Sequence, residues 1–471
     1  MTHKYIELKG RNDVLIRAFE DVRKEFKVAI EFEPDVLAEA QAVSPTPSGA
    51  RTDLTSLPFV TIDPASAQDL DQALHIESIS SGFRVRYAIA DVAACVSPGG
   101  AIDRATHQRG VTMYCPDTKA PLHPLSISEN IASLLPNEIR RAYVWTMDLD
   151  ADGAVTDTRV EKALVKSRAK LDYVSLQKQI DSHSADPMIA LLERVGTLRI
   201  EQEIARGGVD LPLPTQEVFV TEQTCELTYR APNNVERWNA QISLMTGMAA
   251  ADMMISAKVG ILRTMPPADD HDVAILRKLA QHLGIEWEQT RTYAELLRTL
   301  DPSCDSHATF IANCTLLMRG AGYQAFNGEL PQLLTHSGVA AAYAHVTAPL
   351  RRLVDRYALE VCLSLSSGVE VPSWVISALD QIPDIMSGAH HVANSVERGC
   401  TDAAEAFVLQ DQVGKVFNAL VTESGRGKST IVIAQPAIQA SCLGEFPVGE
   451  QIAVTLKAVD ISTRSVTFEA Q

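Results

Sequence analysis

Three carboxylates, Asp63, Asp69 and Asp71, fall within the run Thr61-Ile62-Asp63-Pro64-Ala65-Ser66-Ala67-Gln68-Asp69-Leu70-Asp71-Gln72-Ala73. Crowded carboxylates repel, and the usual reliefs are water, a shared proton or a divalent cation. Oxygen donors of this type select Mg2+ or Mn2+ over zinc, so the cluster is a candidate metal site for assisted hydrolysis. A solvated Asp-rich turn accounts for the same spacing about as well. Leu57 to Ile62 reads as a buried strand that Pro64 interrupts, and Ala73 to Ile76 resumes an apolar run. The acids therefore sit where a core strand breaks.

A second constellation is Tyr343-Ala344-His345-Val346-Thr347-Ala348-Pro349-Leu350-Arg351-Arg352-Leu353-Val354-Asp355. Pro349 suits the first turn of a helix capped by Thr347 or Ala348, which predicts Arg351 and Arg352 within that turn. Cations are unfavourable there unless an anion such as phosphate is bound. The alternative is a surface network of Arg352 with Asp355 or Arg356.

The run Thr61-Ile62-Asp63, then Asp69-Leu70-Asp71 with Ala73-Leu74, resembles the catalytic signature of the ribonuclease II/ribonuclease R (RNB) family of exoribonucleases. Residues 343–355 resemble that family's second signature, and two signatures in order, about 280 residues apart, are far more specific than either alone. The resemblance implies an α+β protein with a large mixed α/β RNB-type catalytic domain. It implies a hydrolytic, processive 3′→5′ exoribonuclease that releases nucleoside 5′-monophosphates from single-stranded RNA. Asp63, Asp69 and Asp71 would hold Mg2+, with Mn2+ able to substitute, and Asp71 and Arg351 would be catalytic, Arg351 at the scissile phosphate. The RNA-binding set would be Tyr114, stacked on the 3′-terminal base, together with Arg351, Arg352 and Glu397.

Several positions depart from the pattern. Gln72 stands where the family carries a further Asp, leaving a neutral oxygen as the fourth metal ligand. Ala240 and Gln241 stand at the family's paired glutamates, and Leu211 at a Phe. These losses motivate an alternative, a catalytically weakened RNA-binding or regulatory protein of the same fold. A phosphodiesterase acting on DNA or small nucleotides and a phosphatase using Asp69-Leu70-Asp71 are further rivals.

At 471 residues with 46% hydrophobic content, two or three domains are expected. Residues 1–50 read as a small helical module, with helices from about Asn12 to Phe26 and Pro34 to Val43, and a strand-like Val28 to Phe32 between them. That module, whether helix-turn-helix-like or a plain cap, stands where the resembled family usually carries cold-shock-type OB folds. The resemblance implies that residues 51–405 form the catalytic domain. Residues 411–471 show short alternating strands with Gly-bearing turns, which predict an all-β OB barrel resembling the family's S1 domain, with Arg426 and Lys428 as basic contacts. A net charge of −17 argues against a protein that coats nucleic acid over its whole surface, and leaves room for a local basic channel. The eight cysteines lack any Cys-x-x-Cys pair, so neither zinc nor a disulfide framework is expected. With no apolar run of 18 residues and no leader-like N-terminus, a monomeric cytoplasmic protein without membrane or protein partners is expected.

Overall fold

The computed structural model describes residues 5–8, 12–44, 50–209, 211, 215–220, 225–301 and 304–471. Helix α1 (Asp13–Glu25) starts where the Asn12 side chain accepts from the amides of Val14 and Leu15, and α2 (Pro34–Ala42) starts at a proline. Residues 28–32, expected as a strand, form none. Their carbonyls are taken up by a side chain instead: Arg109 donates to Ala29 O at 2.8 Å and Glu31 O at 2.5 Å while stacking on the Phe32 ring. That bonding replaces a ladder.

The central sheet contains β1 (Phe59–Ile62), β2 (Gln72–Ile79) and β3 (Gly82–Ala90). Helix α3 (Ala101–Arg109) follows, and β4 (Ile139–Leu149) and β5 (Val155–Leu171) complete the sheet with the short strand Thr52–Asp53. The 17-residue β5 pairs antiparallel with β4 along its first part and parallel with β1 at its end, so the sheet curls back on itself. Trp145, Tyr143 and Tyr87 are fully buried in its core. Helix α4 (Asn234–Ala257) opens with a capping box from Asn233 and Glu236 and packs into the same core through Ile242, Met245 and Met254. Next come the antiparallel pair β6 (Val259–Thr264) and β7 (Gly322–Asn327), then α5 (Leu353–Ser367) and the 28-residue α6 (Ile382–Leu409).

The C-terminal strands β8 (Val416–Gly425), β9 (Lys428–Ile433), β10 (Ile438–Leu443), β11 (Gln451–Asp460) and β12 (Ser465–Ala470) close into a barrel in the order β8-β9-β10-β12-β11. Arg426 and Lys428 are exposed at its first hairpin. Leu15, Ala18, Phe19 and Val22 of α1 bury their face in one cluster with Val396, Cys400 and Ala403 of α6 and with Val421, Ile431 and Phe468 of the barrel. This apolar stripe of α1 is thus the joint between the N-terminal helix, the long helix and the barrel. No described helix is long and apolar enough to cross a membrane.

Because Phe19 is fully buried in that joint, Phe19→Ala is expected to lower unfolding free energy by about 3–5 kcal/mol. Denaturant titration checks this, and an unchanged midpoint would contradict the shared core.

Candidate active site

The loop between β1 and β2 is pinned from both sides. Asp63 N–H donates to Leu171 O at 3.1 Å, which ties the start of the loop to the end of β5. Lys170 reaches the carbonyls of Ala65 and Ala67. Ser133 holds the far side, donating through Oγ to Gln68 O at 2.7 Å and accepting from Leu70 N–H at 3.0 Å. Leu70 is fully buried, so the intervening apolar residue anchors the loop while its flanking acids turn to one region.

The second constellation meets this loop. Leu350 N–H donates to Asp71 Oδ1 at 2.7 Å, and Arg351 Nε donates to Asp71 Oδ2 at 3.2 Å. Gln72 Nε2 donates to Thr347 O. Gly247 of α4 allows the close approach: a Cβ there would collide with the Tyr343 ring and lie 2.6 Å from Ala344 O.

The expected helix start is corrected here. Arg351 and Arg352 precede α5, with Arg352 as its extended N-cap at φ −136° and ψ 127°. Tertiary bonds hold the pair outside the helix. Thr112 N–H donates to Arg351 O, Leu353 N–H donates to Gly110 O, and Val111 bridges Arg352. Asp355 accepts from Ala348 N–H at 2.7 Å and takes the Arg352 guanidinium at 2.8 Å through both oxygens. The Arg352–Asp355 pair weighed at the sequence level therefore exists, and Asp355 is fully buried. Arg356 is engaged elsewhere, with Asp103 at 2.5 Å.

Asp69 accepts from the Tyr114 hydroxyl at 2.8 Å and from Lys119 Nζ at 3.4 Å, and Lys119 also pairs with Glu129. Tyr114 is 51% exposed, leaving part of its ring open beside the acids. Lys119 was not anticipated. Its signal was the Pro116-Asp117 turn, which pairs Tyr114 with Lys119 across a hairpin. Glu397 lies half-buried on α6. Of the departures, Gln241 is buried and donates to Glu203 at 2.6 Å, and Leu211 packs with Leu276, Phe310 and Leu317.

Burial dominates the electrostatics of the acids. It raises Asp63 to about 6 and Asp71 to about 8, against the opposing pull of Arg351, and Asp69 adds repulsion to both. Asp63 Oδ2 is buried without a hydrogen-bond partner. Among the described residues no three His, Cys, Asp or Glu side chains already close on one ion, and Asp71 is bonded to Leu350 and Arg351. In type the donors fit a hard divalent cation, and the unpartnered Asp63 oxygen is a donor that such a cation would satisfy. Gln72, its nitrogen engaged on Thr347, has only Oε1 left to offer.

A model of the RNB domain matches residues 51–363, two thirds of the chain, and a model of the RNase II-type exonuclease C-terminal S1 domain matches residues 415–471. The chain belongs to the RNB family. Ribonuclease R of Escherichia coli (strain K12) is 26% identical over 418 residues, covering 83% of this chain and 51% of that protein. The chain spans about half the length of the curated relatives it matches. Mycoplasma genitalium RNase R, solved in complex with ribose methylated single-stranded RNA, superposes with a TM-score of 0.89 at 18% identity, covering 98% of this chain and 79% of that one. Yeast Ssd1, described as a pseudonuclease, has the same RNB fold, with a TM-score of 0.74 at 13% identity over 94% of this chain and 58% of that one.

Two outcomes follow from the geometry. Carboxyls raised by folding stabilise the protein while protonated, and that contribution is lost as pH rises through their folded values. In chelator, stability is expected to fall between about pH 4 and 8, and Asp71→Asn should remove the upper part of the fall. Thermal melts against pH check it, and identical slopes for the two proteins would contradict the assignment. Gln72→Glu replaces the donor to Thr347 O by a carboxylate, so it should cost about 1–3 kcal/mol in denaturant titration. No loss would show that the bond is not needed.

Proposed function

We propose that this RNB-family protein is a Mg2+-dependent, processive 3′→5′ exoribonuclease that hydrolyses single-stranded RNA to nucleoside 5′-monophosphates. The observation that carries the proposal is the pairing of Asp71 with Arg351, whose side chain is 44% exposed and so open to a ligand, with Asp63 and Asp69 near enough to share its field. Asp63, Asp69 and Asp71 would hold the metal, with Gln72 Oε1 as a neutral fourth donor. When bound, a divalent ion there activates a water and neutralises the leaving oxygen. Arg351 turns from Asp71 to the scissile phosphate and stabilises charge developing on its oxygens. Leu350 N–H keeps one oxygen of Asp71 oriented while Arg351 exchanges partners. The half-exposed Tyr114 ring offers a face to the 3′-terminal base, and stacking tolerates every base, as an unselective exonuclease requires. Arg352 and Glu397 are assigned to the 3′-terminal segment, and the barrel over 411–471 to the incoming strand. We take the protein to act as a cytoplasmic monomer, with residues 1–50 as a helical module on the catalytic domain over 51–405.

The pseudonuclease among the fold neighbours keeps a second reading in view, a weakened RNA-binding protein. Asp71→Asn separates the two. It is expected to reduce single-turnover cleavage of RNA by at least about a thousandfold with RNA affinity unchanged, the pattern of a group acting in the transition state. Retained cleavage would refute the role of Asp71, and a wild type that binds RNA without cleaving it would favour the second reading. A matched DNA oligomer should compete poorly, because it lacks the 2′-hydroxyl.

A further inference from the structure

Beside Arg352 lies a cation that the mechanism does not use. Arg263, on β6, is 7% exposed, and its guanidinium carbon lies 4.7 Å from the centroid of the Tyr323 ring, its cross-strand partner on β7. Its backbone N–H donates to Tyr343 O at 2.8 Å, which fastens it to the loop that carries Arg351 and Arg352. The Tyr323 hydroxyl bonds His345 Nδ1 at 2.8 Å, and Tyr343 meets His345 edge to face at 5.5 Å.

The charges around it do not balance. Arg351 faces Asp71, Arg352 is paired through both oxygens with Asp355, and Arg356 with Asp103. Among the described residues Arg263 has neither a carboxylate nor a hydrogen-bond acceptor, only the Tyr323 face. A guanidinium taken this far out of water without a counter-charge is costly, and an anion is its natural complement. Its surroundings also register the excess. Burial first, then the fields of Arg352 and Arg263, hold His345 well below the usual imidazole range, and burial and Arg263 bring His336 down to about 4. Neither ring then competes with Arg263 as a cation.

We propose that Arg263, held on Tyr323 beside Arg352, forms a subsite for one phosphodiester of the RNA strand other than the one cleaved. This rests on the exoribonuclease reading, from which the place of that phosphate follows. When nucleotides leave singly from the 3′ end, every remaining phosphodiester lies on the 5′ side of the scissile one. The subsite therefore grips strand that has not yet been cut, and helps keep the shortened product bound for the next turn.

The test is equilibrium binding of a fluorescent single-stranded RNA in chelator, over a range of salt, for wild type, Arg263→Gln and Arg263→Lys, with melting temperature as the check on folding. Arg263→Gln is expected to weaken binding about tenfold, and to reduce the slope of log affinity against log salt by about 0.7, the loss of one neutralised phosphate on a single strand. Arg263→Lys should keep the slope. A series of oligomers, each with one methylphosphonate, should show one position 5′ of the scissile phosphate whose neutralisation weakens wild type and adds no further loss to Arg263→Gln. Unchanged slope and affinity in a folded Arg263→Gln, or losses that simply add at every position, would overturn the subsite. So would a variant altered only in inhibition by nucleoside 5′-monophosphate, which would make the anion the released product. A wild type that neither binds nor shortens RNA would overturn the exoribonuclease reading, and the subsite with it.

Discussion

The carboxylate of Asp71 joins two parts of the chain that the sequence keeps far apart. One oxygen takes the amide of Leu350, the other the guanidinium of Arg351, and the carboxylate itself is withdrawn from water, with Asp71 only 2% exposed. In such surroundings a charge without a partner is unfavourable, so the neighbouring elements have to hold the pair in register. Ser133, Lys170 and the end of β5 fix the acid loop. Gly247, Gly110, Thr112 and Asp355 fix the arginine loop. Three acids crowded beside one arginine remain under electrostatic tension, and a divalent cation is the partner that would relieve it.

Fold and activity are separable, since a protein described as a pseudonuclease shares this fold. What distinguishes a working centre is the set of charged groups retained where burial makes them expensive. Asp63, Asp69, Asp71 and Arg351 are all present and close together. Gln72, seen in sequence as a lost acid, has gained a different use: its amide links β2 to the Thr347 carbonyl, a bond that an aspartate could not donate. The departure adds a fastening between the two loops.

Local signals were readable where local forces decide. Asn12 before an apolar stripe gave α1 its start, Pro64 broke the strand at the acids, and alternating residues with Gly turns marked the barrel. The misjudged places are those decided by distant partners. Pro349 suggested a helix start, yet bonds from residues 110–112 keep Arg351 and Arg352 extended ahead of α5. Residues 28–32 carry strand-like side chains, but Arg109 takes their carbonyls. Arg263 gave no signal at all, because its meaning lies in the absence of a counter-charge, which only the packed structure reveals.

The central claim is that the joined acids and arginine hydrolyse RNA from its 3′ end. The direct measurement is incubation of wild-type protein with 5′-labelled single-stranded RNA, in Mg2+ or in chelator, resolving both the labelled remainder and the released nucleotides. The account predicts Mg2+-dependent shortening to a small labelled core, with nucleoside 5′-monophosphates as the products. RNA left intact in Mg2+, or cut internally into fragments with no mononucleotide released, would contradict it.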